Sequence, residues 1–164
     1  MKLLEGTAEV DDVDAFVAEI GEISAETGAT IQAFDARYVV SKRHLERAVE
    51  LADRAIERGE NVARDRAVEI LLYAAGRRQI TEALELGVSP GENRVVVLVV
   101  GGDETDAAAT VRSRVLDAET PTLGDYDSGR VCEYFDVSDA ELDVVDGDLE
   151  LLVLERVALL VVEK

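Results

Sequence analysis

The alternation of apolar and polar positions divides the chain into strand-like and helix-like segments. Residues 2–10 partly alternate, which predicts a first strand broken near Gly6. Asp11 or Asp12 can cap a following helix whose apolar positions Val13, Phe16, Val17, Ile20 and Ile23 recur at helical spacing until Gly28 stops it. Thr30 to Val40 is rich in β-branched and aromatic residues and predicts a second strand with Ile31, Ala33 and Val39 facing inward. Three helices follow. Ser41 is a natural cap for Lys42 to Arg58, stopped at Gly59. Asn61 can cap a second helix that buries Val68, Leu71, Leu72 and Ala75 and ends at Gly76. Arg77 to Leu86 reads as a third, ended by Gly87.

Arg94 to Val100 is continuously apolar after its first residue, the mark of a central strand covered on both faces. Asp103 or Thr105 opens another helix through Leu116, residues 117–129 read as loop, Val131 to Phe135 as a short edge strand, and Ser138 as the cap of a short helix. Leu149 to Val161 carries apolar residues in too many phases for a one-faced helix and must bury more than one side. The expected fold is α/β: residues 1–164 form a single domain with a mixed β-sheet flanked by helices, and three consecutive helices separate the second strand from the central strand.

Composition narrows the function. Among 164 residues, 36 acids outnumber 17 bases for a net charge of −19, so a protein that coats nucleic acid or anionic lipid with basic surface is excluded. Lys2, Lys42 and Lys164 are the only lysines, and such a lysine-poor, carboxylate-rich surface fits work in concentrated salt and a halophilic source. No apolar run is longer than Val95 to Val100, which is far short of a membrane helix, and the start of the chain has no signal-peptide pattern, so a cytoplasmic location is expected. One cysteine, Cys132, and one histidine, His44, leave no disulfide and no Cys/His zinc cage, and no nucleophile-elbow pattern occurs. No cofactor and no enzymatic activity are expected.

Charge becomes informative once it is split along the chain. Residues 37–78 hold ten bases against seven acids, a net of +3, while the other residues carry −22. This basic island suits a phosphate-bearing partner, although each arginine could equally pair along its own helix, as Glu50 with Arg54 would. Within it, Gly76-Arg77-Arg78-Gln79 lies where one helix stops and another begins, so backbone N–H groups and two guanidiniums could meet an anion while Gln79 reads a base edge. Tyr73 could stack on a base or simply pack in the core. Gly101-Gly102 lacks the three spaced glycines of a phosphate loop, and Asp103-Glu104 would repel a nucleotide there.

Arg43-His44-Leu45, Gly59-Glu60-Asn61-Val62-Ala63-Arg64, the run Glu69 to Ile80 with Tyr73-Ala74-Ala75-Gly76-Arg77-Arg78-Gln79 at its centre, and Gly87 together resemble the small non-catalytic subunit of the KEOPS complex, the p53-related-protein-kinase-binding family. The likeness runs from about Phe34 to Val100, with a weaker match at the C-terminal helix. It implies a mixed α/β domain that binds the complex's small atypical kinase and the 3′ CCA tail of tRNA. In this way it would serve threonylcarbamoyladenosine (t6A) formation at adenosine 37 and reach the threonylcarbamoyl transferase subunit only indirectly. On that resemblance the RNA surface involves Lys42, Arg43, His44, Arg64, Arg77, Arg78 and Gln79, and the kinase contact Leu152, Val153, Arg156 and Leu160. His44 could instead cap or pack locally. The alternative is a kinase-binding allosteric scaffold that never touches RNA.

Overall fold

The computed structural model describes residues 1–163. Along the chain run β1 (Lys2–Val10), α1 (Val13–Thr27), β2 (Thr30–Asp35), α2 (Lys42–Glu57), α3 (Arg66–Ala75), α4 (Ile80–Ala83), β3 (Gly91–Val100), α5 (Glu104–Arg114), β4 (Ala118–Glu119), α6 (Ser128–Tyr134), α7 (Asp139–Val144) and α8 (Leu149–Glu163). Single 3-10 turns occupy Ala36–Tyr38 and Leu84–Leu86. The fold is α/β. Among the described residues, eight α-helices accompany a four-stranded sheet of order β2-β3-β1-β4 that is antiparallel at every pairing, and α2, α3 and α4 separate β2 from β3 in sequence.

Contacts divide the chain into two compact units, residues 1–36 with 87–122, and residues 37–86 with those from 123 on. The first unit holds the sheet. Val95, Val97 and Val99 of β3 pack with Ile31 and Ala33 of β2, Ile20 and Ile23 of α1, and Ala107, Ala108 and Val111 of α5. Residues 95–99 are all fully buried, as their unbroken apolar run requires. β1 is continuous through Gly6, because a Cβ there would come within 2.3 Å of the Ala118 carbonyl oxygen: the glycine admits β4 and does not break the strand. The Gly101-Gly102 turn is filled by this unit's own atoms. The Glu104 carboxylate accepts the Gly101 N–H at 2.7 Å, and a Cβ on Gly102 would strike the Gly28 backbone at 2.3 Å.

The second unit is helical. α3 buries every residue from Glu69 to Ala75, so it is the central rod, with α2 and α8 packed on it. α2 begins at the Ser41 cap and buries Leu45, Ala48, Leu51, Ala52 and Ala55 along one stripe. Several boundaries differ from the sequence expectation. β2 ends at Asp35 rather than Val40, where the chain leaves the sheet unit through the 36–38 turn. The cap of α3 is Asp65, which accepts the Ala67 N–H at 2.8 Å, while Asn61 bonds the Ala63 carbonyl in the preceding loop. Arg77–Leu86 is not one helix: residues 77–79 are irregular and α4 has four residues. Val131–Phe135, expected as an edge strand, lies almost wholly in α6, because the Asp127 side chain caps a turn that turns Val131 and Tyr134 inward.

Candidate functional site

The basic residues of the second unit are arranged by the α2–α3 hairpin. His44, one turn into α2, is fully buried; its Nε2 lies 2.7 Å from the Ala74 carbonyl oxygen near the end of α3. A carbonyl can only accept, so Nε2 carries the proton and Nδ1 accepts from the Val40 N–H at 3.4 Å. Burial holds the imidazole neutral, with its pKa pushed down to about 4. This bridge sets the start of α2 beside the end of α3. The exposed Lys42 and Arg43 therefore share one end of the hairpin with Arg77, Arg78 and Gln79. Arg64 does not join them: it lies in the loop at the other end, about 15 Å away along the ten residues of α3.

The guanidiniums are not equivalent. Arg43 is 71% exposed and pairs with Glu150 at 3.1 Å. Arg47 and Arg54 both turn to Glu50, at 2.7 and 3.2 Å. Arg77 is held inward: its carbon Cζ lies 4.4 Å above the centre of the Tyr134 ring, Nη2 donates to the Tyr134 carbonyl, and Nη1 reaches Glu82 at 3.3 Å. Arg78 and Gln79 are exposed. With α4 only four residues long, the expected anion-binding helix start at this junction does not form.

A cleft of about 400 Å³ opens here, lined by Tyr38, Arg77, Glu82, Glu85, Arg130, Glu133 and Tyr134. Tyr38 donates its phenol proton to Glu85 at 3.0 Å and meets the Tyr134 ring edge-on at 5.6 Å; the Tyr134 hydroxyl donates to the Glu82 carbonyl at 2.7 Å. Burial raises the pKa of both phenols, so both stay protonated donors. Among the described residues no group of three or more His, Cys, Asp or Glu side chains is placed to hold a metal, and no helix is long and apolar enough to cross a membrane.

α8 presents a third surface. Leu149, Leu152, Val153, Val157 and Leu160 form a buried stripe. A second apolar stripe faces outward: Leu151 is 51% and Val162 81% exposed, with Leu159 between them. Beside it a groove of about 490 Å³ is lined by Leu151, Leu154 and Glu155 of α8 and by Arg43, Glu46, Arg47 and Glu50 of α2. The expectation that α8 buries more than one side is therefore not met among the described residues.

The family model of the kinase binding protein CGI-121 matches residues 9–160. The chain belongs to that family. A search of curated proteins returned no match. CGI-121 chains are kinase-binding proteins, and this is the family that the motif around Tyr73 to Gln79 resembles.

Arg64 apart, the sequence-predicted residues of the CGI-121 chain fall into three groups. Lys42, Arg43, Arg78 and Gln79 lie exposed at one hairpin end, with Arg77 partly exposed beside them. His44 and Tyr73 are buried, so neither is open to a ligand. Leu152, Val153 and Leu160 are buried within the unit, and Arg156 is committed internally: Nε to the Phe135 carbonyl at 3.0 Å, Nη2 to Glu141 at 2.7 Å. The outward residues Leu151, Leu159 and Val162 were missed because two apolar stripes on one helix carry no mark of which meets the chain's own core. Tyr38, Glu82, Glu85, Arg130 and Tyr134 were missed because Tyr38 and Tyr134 both sat in segments read as strands.

Proposed function

We propose that this CGI-121 chain is the non-catalytic KEOPS subunit that docks the complex's atypical kinase on the outward stripe of α8 and receives the 3′ CCA end of tRNA at the hairpin end carrying Lys42, Arg43 and Arg78, in support of t6A formation. The observation that carries the docking half is the exposed row Leu151, Leu159 and Val162, flanked by the half-buried Leu154 and the charged rim of the α2 groove. An apolar row with a polar rim is what a protein partner covers. The RNA half rests on exposed cations in a molecule otherwise strongly acidic, and on the Arg77–Tyr134 stack beside them.

The reading without RNA contact draws on a specific feature as well: Arg43 and Arg77 both have carboxylate partners. Removing the terminal CCA from tRNA separates the two. The RNA-receiving subunit loses at least about fivefold in affinity, the lower end of the range expected when stacking of even one base is lost. Unchanged affinity on tail removal sinks the RNA half and leaves the kinase half standing.

A further inference from the structure

α6 has seven residues, too few to hold its own shape or place, so its ends must be fixed by neighbours. Each carbonyl from Val131 to Asp136 has a donor. Those of Val131, Cys132 and Glu133 accept the backbone N–H groups of Phe135, Val137 and Asp136 at 2.9, 2.8 and 3.4 Å. The next three are met by two guanidiniums. Arg77 donates to the Tyr134 carbonyl, and Arg156 of α8 donates through Nε to that of Phe135 and through Nη2 to that of Asp136, each at 3.0 Å. Cations suit the negative end of a helix, and a planar fork of donors spans two neighbouring carbonyls where an ammonium acts as one point charge. Nη2 also reaches Glu141 at 2.7 Å.

The backbone of Arg156 matters as well. A Cβ on Gly76 would lie 3.3 Å from the Arg156 carbonyl oxygen, so the α3–α4 junction that carries Arg77 runs tight against α8 at this one residue. Arg156 therefore fixes two segments at once, its carbonyl against Gly76 and its guanidinium on the residues that follow Tyr134, and it lies outside the residues that line the cleft. Arg77 cannot hold Tyr134 alone, because an anion that draws its guanidinium competes with the Tyr134 carbonyl for the same donors. We infer that Arg156 is a positioning residue for the RNA-receiving end: from α8 it keeps the 134–136 segment and the Gly76–Arg77 junction in register, so that the Tyr134 ring stays under Arg77 when RNA arrives. This deepens the RNA reading above and rests on it, and it removes Arg156 from the kinase contact.

The test compares the full chain with its Arg156→Gln and Glu141→Gln variants in binding to tRNA with and without the terminal CCA, and in binding to the kinase. Where the unsubstituted protein prefers the tailed tRNA at least about fivefold, Arg156→Gln is expected to bring the preference below about twofold, as loss of one stacked base would. Its affinity for tail-less tRNA and for the kinase is expected to stay unchanged. Glu141→Gln removes a charge beside Arg156 but neither carbonyl bond, so it keeps the full preference. Proton spectra of the free proteins add a readout that lost stability alone would not move. The Arg77 side-chain resonances, displaced by the Tyr134 ring in the unsubstituted chain and in Glu141→Gln, return toward open-chain positions in Arg156→Gln. If Arg156→Gln does not fold, Arg156→Lys replaces it, since one ammonium keeps the charge but cannot repeat the fork. Normal tail preference with unmoved Arg77 resonances in the folded variant overturns the positioning role, and so does a loss confined to kinase binding. A tail preference absent from the unsubstituted protein overturns the RNA reading instead, and release of Arg77 in Arg156→Gln then supports the positioning of the cleft alone.

Discussion

His44 shows how one residue can serve a site it does not touch. Its imidazole spans Val40 and Ala74, and with it the two chain segments that deliver Lys42, Arg43 and the Arg77–Gln79 junction to the same end of the hairpin. A neutral ring fully out of water also ties stability to pH. With the folded pKa near 4 and the unfolded value at 6.5, the folded protein binds fewer protons than the unfolded chain between those limits. The contribution of His44 is therefore fully present above pH 6.5, falls as pH drops through the window, and has lost about 3 kcal/mol by pH 4. His44→Gln should cost about 1–3 kcal/mol at pH 7 by leaving one of the buried partners unpaired. It should also have a shallower stability profile from pH 6.5 to 4 than the unsubstituted protein. Urea midpoints at pH 7, 5.5 and 4.5 check this; parallel profiles for the two proteins would show that the ring is not held neutral.

At the level of the element, α8 separates what holds the molecule from what it offers. Leu152, Val153 and Leu160 are buried where α8 packs on α2 and α3, whereas Leu151, Leu159 and Val162 are exposed. Leu152→Ala should lower stability by about 2–5 kcal/mol through the cavity it leaves. The double change Leu151→Asp and Leu159→Asp should leave the urea midpoint nearly unmoved and weaken binding to the kinase at least tenfold, about 1.4 kcal/mol. Measuring unfolding and kinase binding on both variants decides the matter. If Leu151→Asp with Leu159→Asp binds the kinase normally, the docking surface lies elsewhere. What the sequence made legible follows the same division. The capped helices α1 and α2, the buried β3 run and the three helices between β2 and β3 could be read because caps, glycine stops and periodicity are local. The two stripes of α8 were visible as a surplus of apolar residues, yet only tertiary packing assigns the inner one. Val131 and Tyr134 looked strand-like by residue type, and the Asp127 cap overrode that preference, hiding the ring on which Arg77 lies.

Across the whole molecule, the net charge of −19 and the small set of exposed cations at the hairpin end act in opposite directions on any RNA. Neutralising about three phosphates of a single strand with Lys42, Arg43 and Arg78 gives a slope of log affinity against log salt near −2, from about −0.7 per phosphate. Salt also screens the repulsion between the acidic surface and the RNA: the Debye length shrinks from about 10 Å at 0.1 M to about 3 Å at 1 M, so the long-range penalty fades while stacking and base-edge contacts remain. The second effect offsets part of the first, and the net slope should be shallower than −2 between 0.1 and 1 M salt. Nitrocellulose or fluorescence binding of tRNA across that range measures it. A slope steeper than about −4 would require roughly six neutralised phosphates, more than this hairpin end can meet. It would place the RNA on the α2 stripe of Arg47, Arg54 and Arg58, and only if Glu50 released the first two.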